Sequence, residues 1–263
     1  LFMRVFNMKV LPVISSKGGV GKSTKAANLA GFFADAGLKT LLIDGDHCQP
    51  TASCYYSLRY EAPNGLCELL MRTADLAQPD QIISRTVIPN LDLIVSTDPL
   101  DQLSDAIYHA PDGRLRLRSI LKHPLFQSYD VIVVDSQGAK SVMLEMVLLA
   151  STGIVLGITK PILPDVRDIL RGTEAMLDKL APLTYYGMTL PDIRIFINCL
   201  DYSRLAKDTL DAFVDNVESA NQSAGSNNVR VSLLKTRISD LTFYRLAHAT
   251  GLPVPRLERQ PMR

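Results

Sequence analysis

The sequence predicts an α/β protein: a doubly wound, mostly parallel sheet flanked by helices. Three observations carry that expectation. Short apolar runs rich in β-branched residues recur at 10–14, 40–43, 131–134, 153–158 and 193–197, the pattern of strands buried on both faces. Stretches with apolar residues at helical spacing separate them. Several of the runs end in acids, amides or small polar residues, which would collect along one rim of such a sheet.

The 263 residues suffice for one large domain with a sizeable core, so 1–263 reads as a single domain whose ordered part follows residues 1–7. The chain opens on Leu1, and Met3 and Met8 are both candidate starts. With 47% hydrophobic and 21% charged residues, the composition is that of an ordinary globular protein. A net charge of +1 argues against a polyanion binder acting through its whole surface and leaves local patches open. Cys48, Cys54, Cys67 and Cys199 show no C-x-x-C spacing, so free thiols are expected rather than a zinc site or disulfide frame. No apolar run is long enough to span a bilayer and no leader is evident; a cytoplasmic protein without membrane contact is the expectation.

The first strand leads into Ser16-Lys17-Gly18-Gly19-Val20-Gly21-Lys22-Ser23-Thr24. Three glycines in four positions let the backbone turn tightly and bring N–H groups against phosphate oxygens. Lys22 supplies a positive charge for the β- and γ-phosphates and Ser23 a hydroxyl for Mg²⁺. A glycine cluster alone is only a turn; strand, loop and helix in this order make a nucleotide site. Ser16 stands where the usual motif has its first glycine, and Lys17 adds a second lysine to the loop.

Ala26, Ala27, Leu29, Ala30 and Phe33 then mark a helix that ends at Gly37. The strand at 40–43 closes on Asp44-Gly45-Asp46, carboxylates at a strand's carboxyl end. Residues 47–89 are irregular, with a short helix at 66–71 and Pro79 and Pro89 as breakers; a strand follows at 91–95. A helix over 99–122, interrupted at 111–113, sets Arg114, Arg118 and Lys122 on one face, a solvated stripe or a nucleic-acid contact. The run at 129–135 ends in Asp135, which either holds Mg²⁺ or caps the next helix; the upstream loop favours the metal role. Gly138, just beyond, offers an unhindered N–H to a γ-phosphate.

Helices are expected at 140–150 and 165–180 around the strand at 153–158. After the strand at 193–197, Asn198 either reads an adenine edge with its amide or forms a turn. A helix at 204–217 carries Asp208, Asp211, Asp215 and Glu218 and is a poor DNA surface; 221–228 reads as a polar loop. From Val229 onward Arg230, Lys235, Arg237, Arg245, Arg256, Arg259 and Arg263 face only Asp240 and Glu258, a basic rim or a phosphate-backbone contact.

The run from Lys17 to Thr24 resembles the deviant Walker A motif of the ParA/MinD family of P-loop ATPases. The likeness extends to Asp44-Gly45-Asp46, to the short helix after Asn64, to Asp135-Ser136-Gln137-Gly138-Ala139, and to 241–254 as the C-terminal helix and turn. It is closest to small ParA/Soj-like proteins without an N-terminal helix-turn-helix domain. His47-Cys48 stands where many relatives have Pro-Gln, and Ser239 where they have proline.

The resemblance implies the P-loop NTPase fold and slow, partner-stimulated hydrolysis of ATP to ADP with Mg²⁺ inside a nucleotide-sandwich homodimer. In that scheme Lys22 and the loop amides hold phosphates, Ser23 ligates Mg²⁺ and Asp135 supports it. Asp46 positions the attacking water, Asp44 assists it, and Lys17 reaches across to the partner's nucleotide. It also implies non-specific DNA binding on the nucleoid, a ParB-like centromere-binding partner and segregation of a plasmid, integrated element or chromosome. The alternatives are a MinD-like regulator at the membrane and a P-loop biosynthetic ligase. The proline-rich C-terminal stretch without an apolar stripe disfavours the first, and Lys17 disfavours the second.

Overall fold

The structure is a computed structural model, and it describes residues 8–98, 102–137, 141–201, 203–223, 231–239 and 242–257. Strand β1 (Lys9–Ser15) runs into the phosphate loop and helix α1 (Lys22–Asp35), followed by β2 (Thr40–Asp44). The irregular region holds β3 (Leu58–Tyr60), α2 (Leu66–Met71), β4 (Ser84–Thr86) and β5 (Leu91–Ile94). Three short helices, α3 (Leu103–His109), α4 (Arg116–Ile120) and α5 (Pro124–Gln127), lead to β6 (Val131–Asp135). Then come α6 (Val142–Leu149), β7 (Ile154–Thr159), α7 (Leu163–Leu180) and β8 (Asp192–Leu200). The chain continues through α8 (Arg204–Ser223), β9 (Val231–Ser239), α9 (Thr242–Thr250) and α10 (Val254–Leu257).

Among the described residues these strands form one nine-stranded sheet in the order β3-β4-β5-β2-β6-β1-β7-β8-β9. All pairs from β5 to β9 are parallel, and β3–β4 and β4–β5 are antiparallel. The strand order reverses at β1, which lies between β6 and β7. That switch point opens a crevice at the carboxyl ends of the strands, and there the glycine loop sits.

Alternation along each strand builds a core on both faces. Leu41, Ile43, Ile132 and Val134 pack toward α2, α3, α4 and α6. Leu42, Leu93, Val131 and Val133 pack with the alanines of α1 and with Ala247 of α9. Beyond β1, Val155, Ile193, Ile195 and Ile197 pack with Val166 and Ile169 of α7 and Phe213 of α8. Burial of such side chains, about 1.5–3 kcal/mol each, supplies the main driving force for folding. The C-terminal elements seat on α1 and on the segment after β2: the Val254 N–H donates to Asn28 Oδ1 at 2.8 Å, and the His248 ring meets Tyr55 edge-on at 5.3 Å.

Four expectations are corrected. The antiparallel β3 and β4 lie in the region read as irregular, and β9 occupies the start of the tail. Helix α8 extends to Ser223, into the stretch read as a polar loop; 224–230 lie outside the described residues. The basic stripe is partly consumed inside the protein: Arg114 Nε binds Glu145 at 2.6 Å and Arg118 donates to the Leu149 carbonyl at 3.1 Å.

Candidate nucleotide site

The loop between β1 and α1 is shaped by its glycines. Gly19 and Gly21 have φ of +72° and +87°, where a side chain is strained. A Cβ on Gly21 would also lie 2.5 Å from Asn198 Nδ2. Ser15 Oγ donates to the Lys17 carbonyl at 2.9 Å and helps fold the entry to the loop. No side chain caps the start of α1, so its first N–H groups remain for an anion.

Lys22, the first residue of α1, is 8% exposed and reaches the ends of two later strands. Its ammonium lies 2.6 Å from Asp135 Oδ1, 4.0 Å from Asp46 Oδ2 and 3.5 Å from Ser23 Oγ. Asp135 ends β6 and is fully buried. Burial pushes its carboxyl up, and the Lys22 charge opposes that shift. Its second oxygen, Oδ2, is buried with no hydrogen-bond partner among the described residues.

Asp44 pairs in register with Asp135 across β2 and β6. Its Oδ2 accepts from both the Ser53 N–H and hydroxyl at 2.7 Å, and its Oδ1 from the Asp46 N–H at 3.2 Å. Burial, then repulsion from Asp135, pushes Asp44 up to about 7, against the pull of the Ser53 bonds. Asp44 therefore holds the 46–53 segment, while Asp46 accepts from the Gln49 N–H at 3.1 Å and faces the cleft.

Asn198, 3% exposed, gives its amide to the Val20 carbonyl at 2.7 Å. Its donor braces the loop from behind, a use foreseen neither by the adenine-edge reading nor by the turn reading. Lys17 is 41% exposed and bound within its own chain to Asp165 at 3.0 Å and Asp168 at 2.8 Å, both on α7. Those carboxylates, Asp168 first, raise its pKa. Gly138 lies outside the described residues.

The cleft, about 560 Å³, is lined by residues from the loop, including Gly18, Lys22, Ser23 and Thr24, together with Asp46 and Gln137. Cys48, Gln49 and Thr51 also line it. Sequence reasoning did not single out Gln137 or Cys48. The signal for Gln137 is its place two residues beyond the strand-end acid; Cys48 stood in view only as a departure from the family pattern.

The donor set suits Mg²⁺ and a nucleoside triphosphate. The orphaned Asp135 oxygen and the Ser23 hydroxyl are hard oxygen ligands. Among the described residues no cluster of three or more His, Cys, Asp or Glu could hold a metal alone, so phosphate and water would complete the coordination. No described helix is long and apolar enough to cross a membrane.

The family described as AAA domain matches residues 8–165. Tyrosine-protein kinase CpsD of Streptococcus pneumoniae is 34% identical over 129 residues, 49% of this chain and 52% of its own. Sporulation initiation inhibitor protein Soj of Bacillus subtilis is 28% identical over 148 residues, 56% of this chain and 57% of its own. The chain thus spans about half the length of each of these two relatives. Cell division protein PomZ of Myxococcus xanthus is 26% identical over 246 residues, 92% of this chain and 70% of its own. Among solved structures, apo McdA from Cyanothece has a TM-score of 0.78 at 22% identity, covering 96% of this chain and 94% of that one. MinD from Pyrococcus horikoshii, complexed with Mg-ADP, has a TM-score of 0.68 at 20% identity, covering 97% and 90%. At such identities the structural likeness speaks for the fold. The AAA-domain match over residues 8–165, with the loop and acids it contains, shows that the chain belongs to that family as a ParA/MinD-like P-loop ATPase.

Proposed function

We propose that the protein is a partition-type ATPase that hydrolyses ATP slowly with Mg²⁺ in a nucleotide-sandwich homodimer. The ATP-bound dimer binds DNA non-specifically on the nucleoid, and a ParB-like partner stimulates hydrolysis to release it, segregating a plasmid, integrated element or chromosome. The observation that carries this reading is the convergence of Lys22, Ser23, Asp46 and Asp135 on one cleft whose rim carries a second lysine, Lys17.

Each residue has work suited to its chemistry. Lys22 stabilises phosphate charge, and its ammonium leaves Asp135 for a phosphate oxygen when nucleotide and Mg²⁺ enter. Ser23 and Asp135 would hold Mg²⁺, which would supply positive charge beside the phosphates. Asp46 orients the attacking water, and Asp44 keeps that segment in place. Lys17 exchanges Asp165 and Asp168 for the partner subunit's nucleotide.

Sedimentation with and without nucleotide tests the reading. We expect dimers with ATP and Mg²⁺ and monomers with ADP. Lys17→Ala is expected to bind ATP yet remain monomeric, whereas Lys22→Ala binds none. ATP-dependent dimers in the Lys17→Ala variant would sink the role given to Lys17. A second reading follows from the likeness to CpsD: phosphoryl transfer to tyrosine, for which Tyr185 and Tyr186 are highly exposed acceptors. Label from γ-phosphate-labelled ATP appearing on the protein, rather than in inorganic phosphate, would favour it.

A further inference from the structure

Gln137 occupies an unusual position in this cleft. It stands two residues beyond β6 and lines the same space as Lys22, Ser23 and Asp46. Its Nε2 donates to Cys48 Sγ at 3.2 Å, and its Oε1 is buried with no partner among the described residues. The sulfur belongs to the segment that begins at Asp46 and lies 3.5 Å from His47 Nε2, which itself meets Ser104 Oγ at 3.0 Å. A thiol is a weak acceptor, so the amide is held lightly at one end and left unsatisfied at the other. Buried amide oxygens are usually paired, and an exception lining a substrate cleft calls for an explanation, which a partner arriving with the substrate supplies.

The chemistry of the cleft needs such a group. Asp46, when ionised, can only accept hydrogen bonds. Fixing a water against a phosphoryl group also calls for a donor to the phosphoryl oxygen, and a carboxamide accepts and donates from one rigid plane. We propose that Gln137 is a second water-positioning side chain of the ATPase site, acting beside Asp46, and that its bond to Cys48 holds it in a resting pose. This rests on the ATPase reading and adds a residue to it. In the step served, the water oxygen forms a bond to the γ-phosphorus. The bond from that phosphorus to the β–γ bridging oxygen breaks, and its electron pair stays with ADP. Both protons of the water leave with the released phosphate, and Gln137 gains and loses no proton. Oε1 accepts from the water and Nε2 donates to a phosphoryl oxygen once it has left the sulfur.

The test uses the full chain and two readouts: steady-state ATP hydrolysis, and binding of Mg-ADP with and without aluminium fluoride, which mimics the phosphoryl group in flight. For Gln137→Ala we expect kcat to fall about 10- to 100-fold with KM within about twofold. Its Mg-ADP affinity should stay near wild type while the tightening produced by aluminium fluoride disappears. Gln137→Glu, which keeps the shape but loses the donor, should behave likewise and serves if the alanine variant folds poorly. Cys48→Ala should raise kcat about twofold or more by freeing the amide; an unchanged or lower kcat overturns the resting pose. Wild-type kcat and wild-type fluoride tightening in both Gln137 variants overturn the role of Gln137 alone. A wild-type protein that binds no nucleotide overturns the ATPase reading, and this inference falls with it.

Discussion

At the scale of single residues, Asp44 links the site to pH. Its carboxyl sits behind Asp46, deprived of water and close to Asp135, and is pushed from 3.8 up to about 7. The folded state therefore binds more protons than the unfolded state throughout that window. Stability falls as pH rises from 3.8 to about 7 and levels off above it. The slope from one such group is at most about 1.4 kcal/mol per pH unit. In Mg²⁺-free buffer the melting temperature of the wild type should drop from about pH 5 to about pH 8, and Asp44→Asn should make that fall shallower, with Asp135, also pushed up by burial, keeping its own share. An equally steep fall in the variant would assign the effect to another group. Asp44 was legible as an acid at the end of a strand. Its task of gripping Ser53 was not, because hydrogen bonding across a loop leaves no local pattern in the chain.

Among the elements, the join between α6 and its neighbours is a buried carboxylate held by two half-exposed cations. Glu145 of α6, 5% exposed, binds Arg114 at 2.6 Å and Lys179 of α7 at 2.5 Å. Glu145 is the buried partner, so Glu145→Ala leaves two half-exposed cations that water solvates and should cost about 1 kcal/mol or less, whereas Arg114→Ala combined with Lys179→Ala leaves the buried carboxylate unpaired and should cost about 3 kcal/mol. Chemical denaturation of the two variants checks the order. The glycine loop makes a second test: Gly21→Ala adds strain at positive φ and a clash with Asn198, and should abolish ATP binding as seen by calorimetry.

The loop and α1 could be read from sequence because glycine, lysine and serine spacing is local and helical periodicity spans many residues. The strands β3 and β4, three residues each, are too short for alternation to show. β9 mixes Lys235, Thr236 and Arg237 into its run and reads as polar tail. Asn198 meets Val20 across 178 positions, a contact that only the folded sheet creates.

For the whole molecule, DNA binding is the property to measure. Within the basic tail, Arg256 is bound to Asp35 at 2.5 Å, whereas Lys235 and Arg237 are exposed on β9. Gel shifts with ATP should show binding that weakens steeply with salt, and Lys235→Ala with Arg237→Ala should reduce the salt slope by about two. An unchanged slope would move the contact elsewhere. The same two cations have a consequence for self-association. A sheet's outermost strands offer unpaired backbone groups to any passing chain, and charge or brevity discourages that pairing. Here β3 is three residues long and β9 carries Lys235 and Arg237, so both margins of the sheet resist runaway fibre growth.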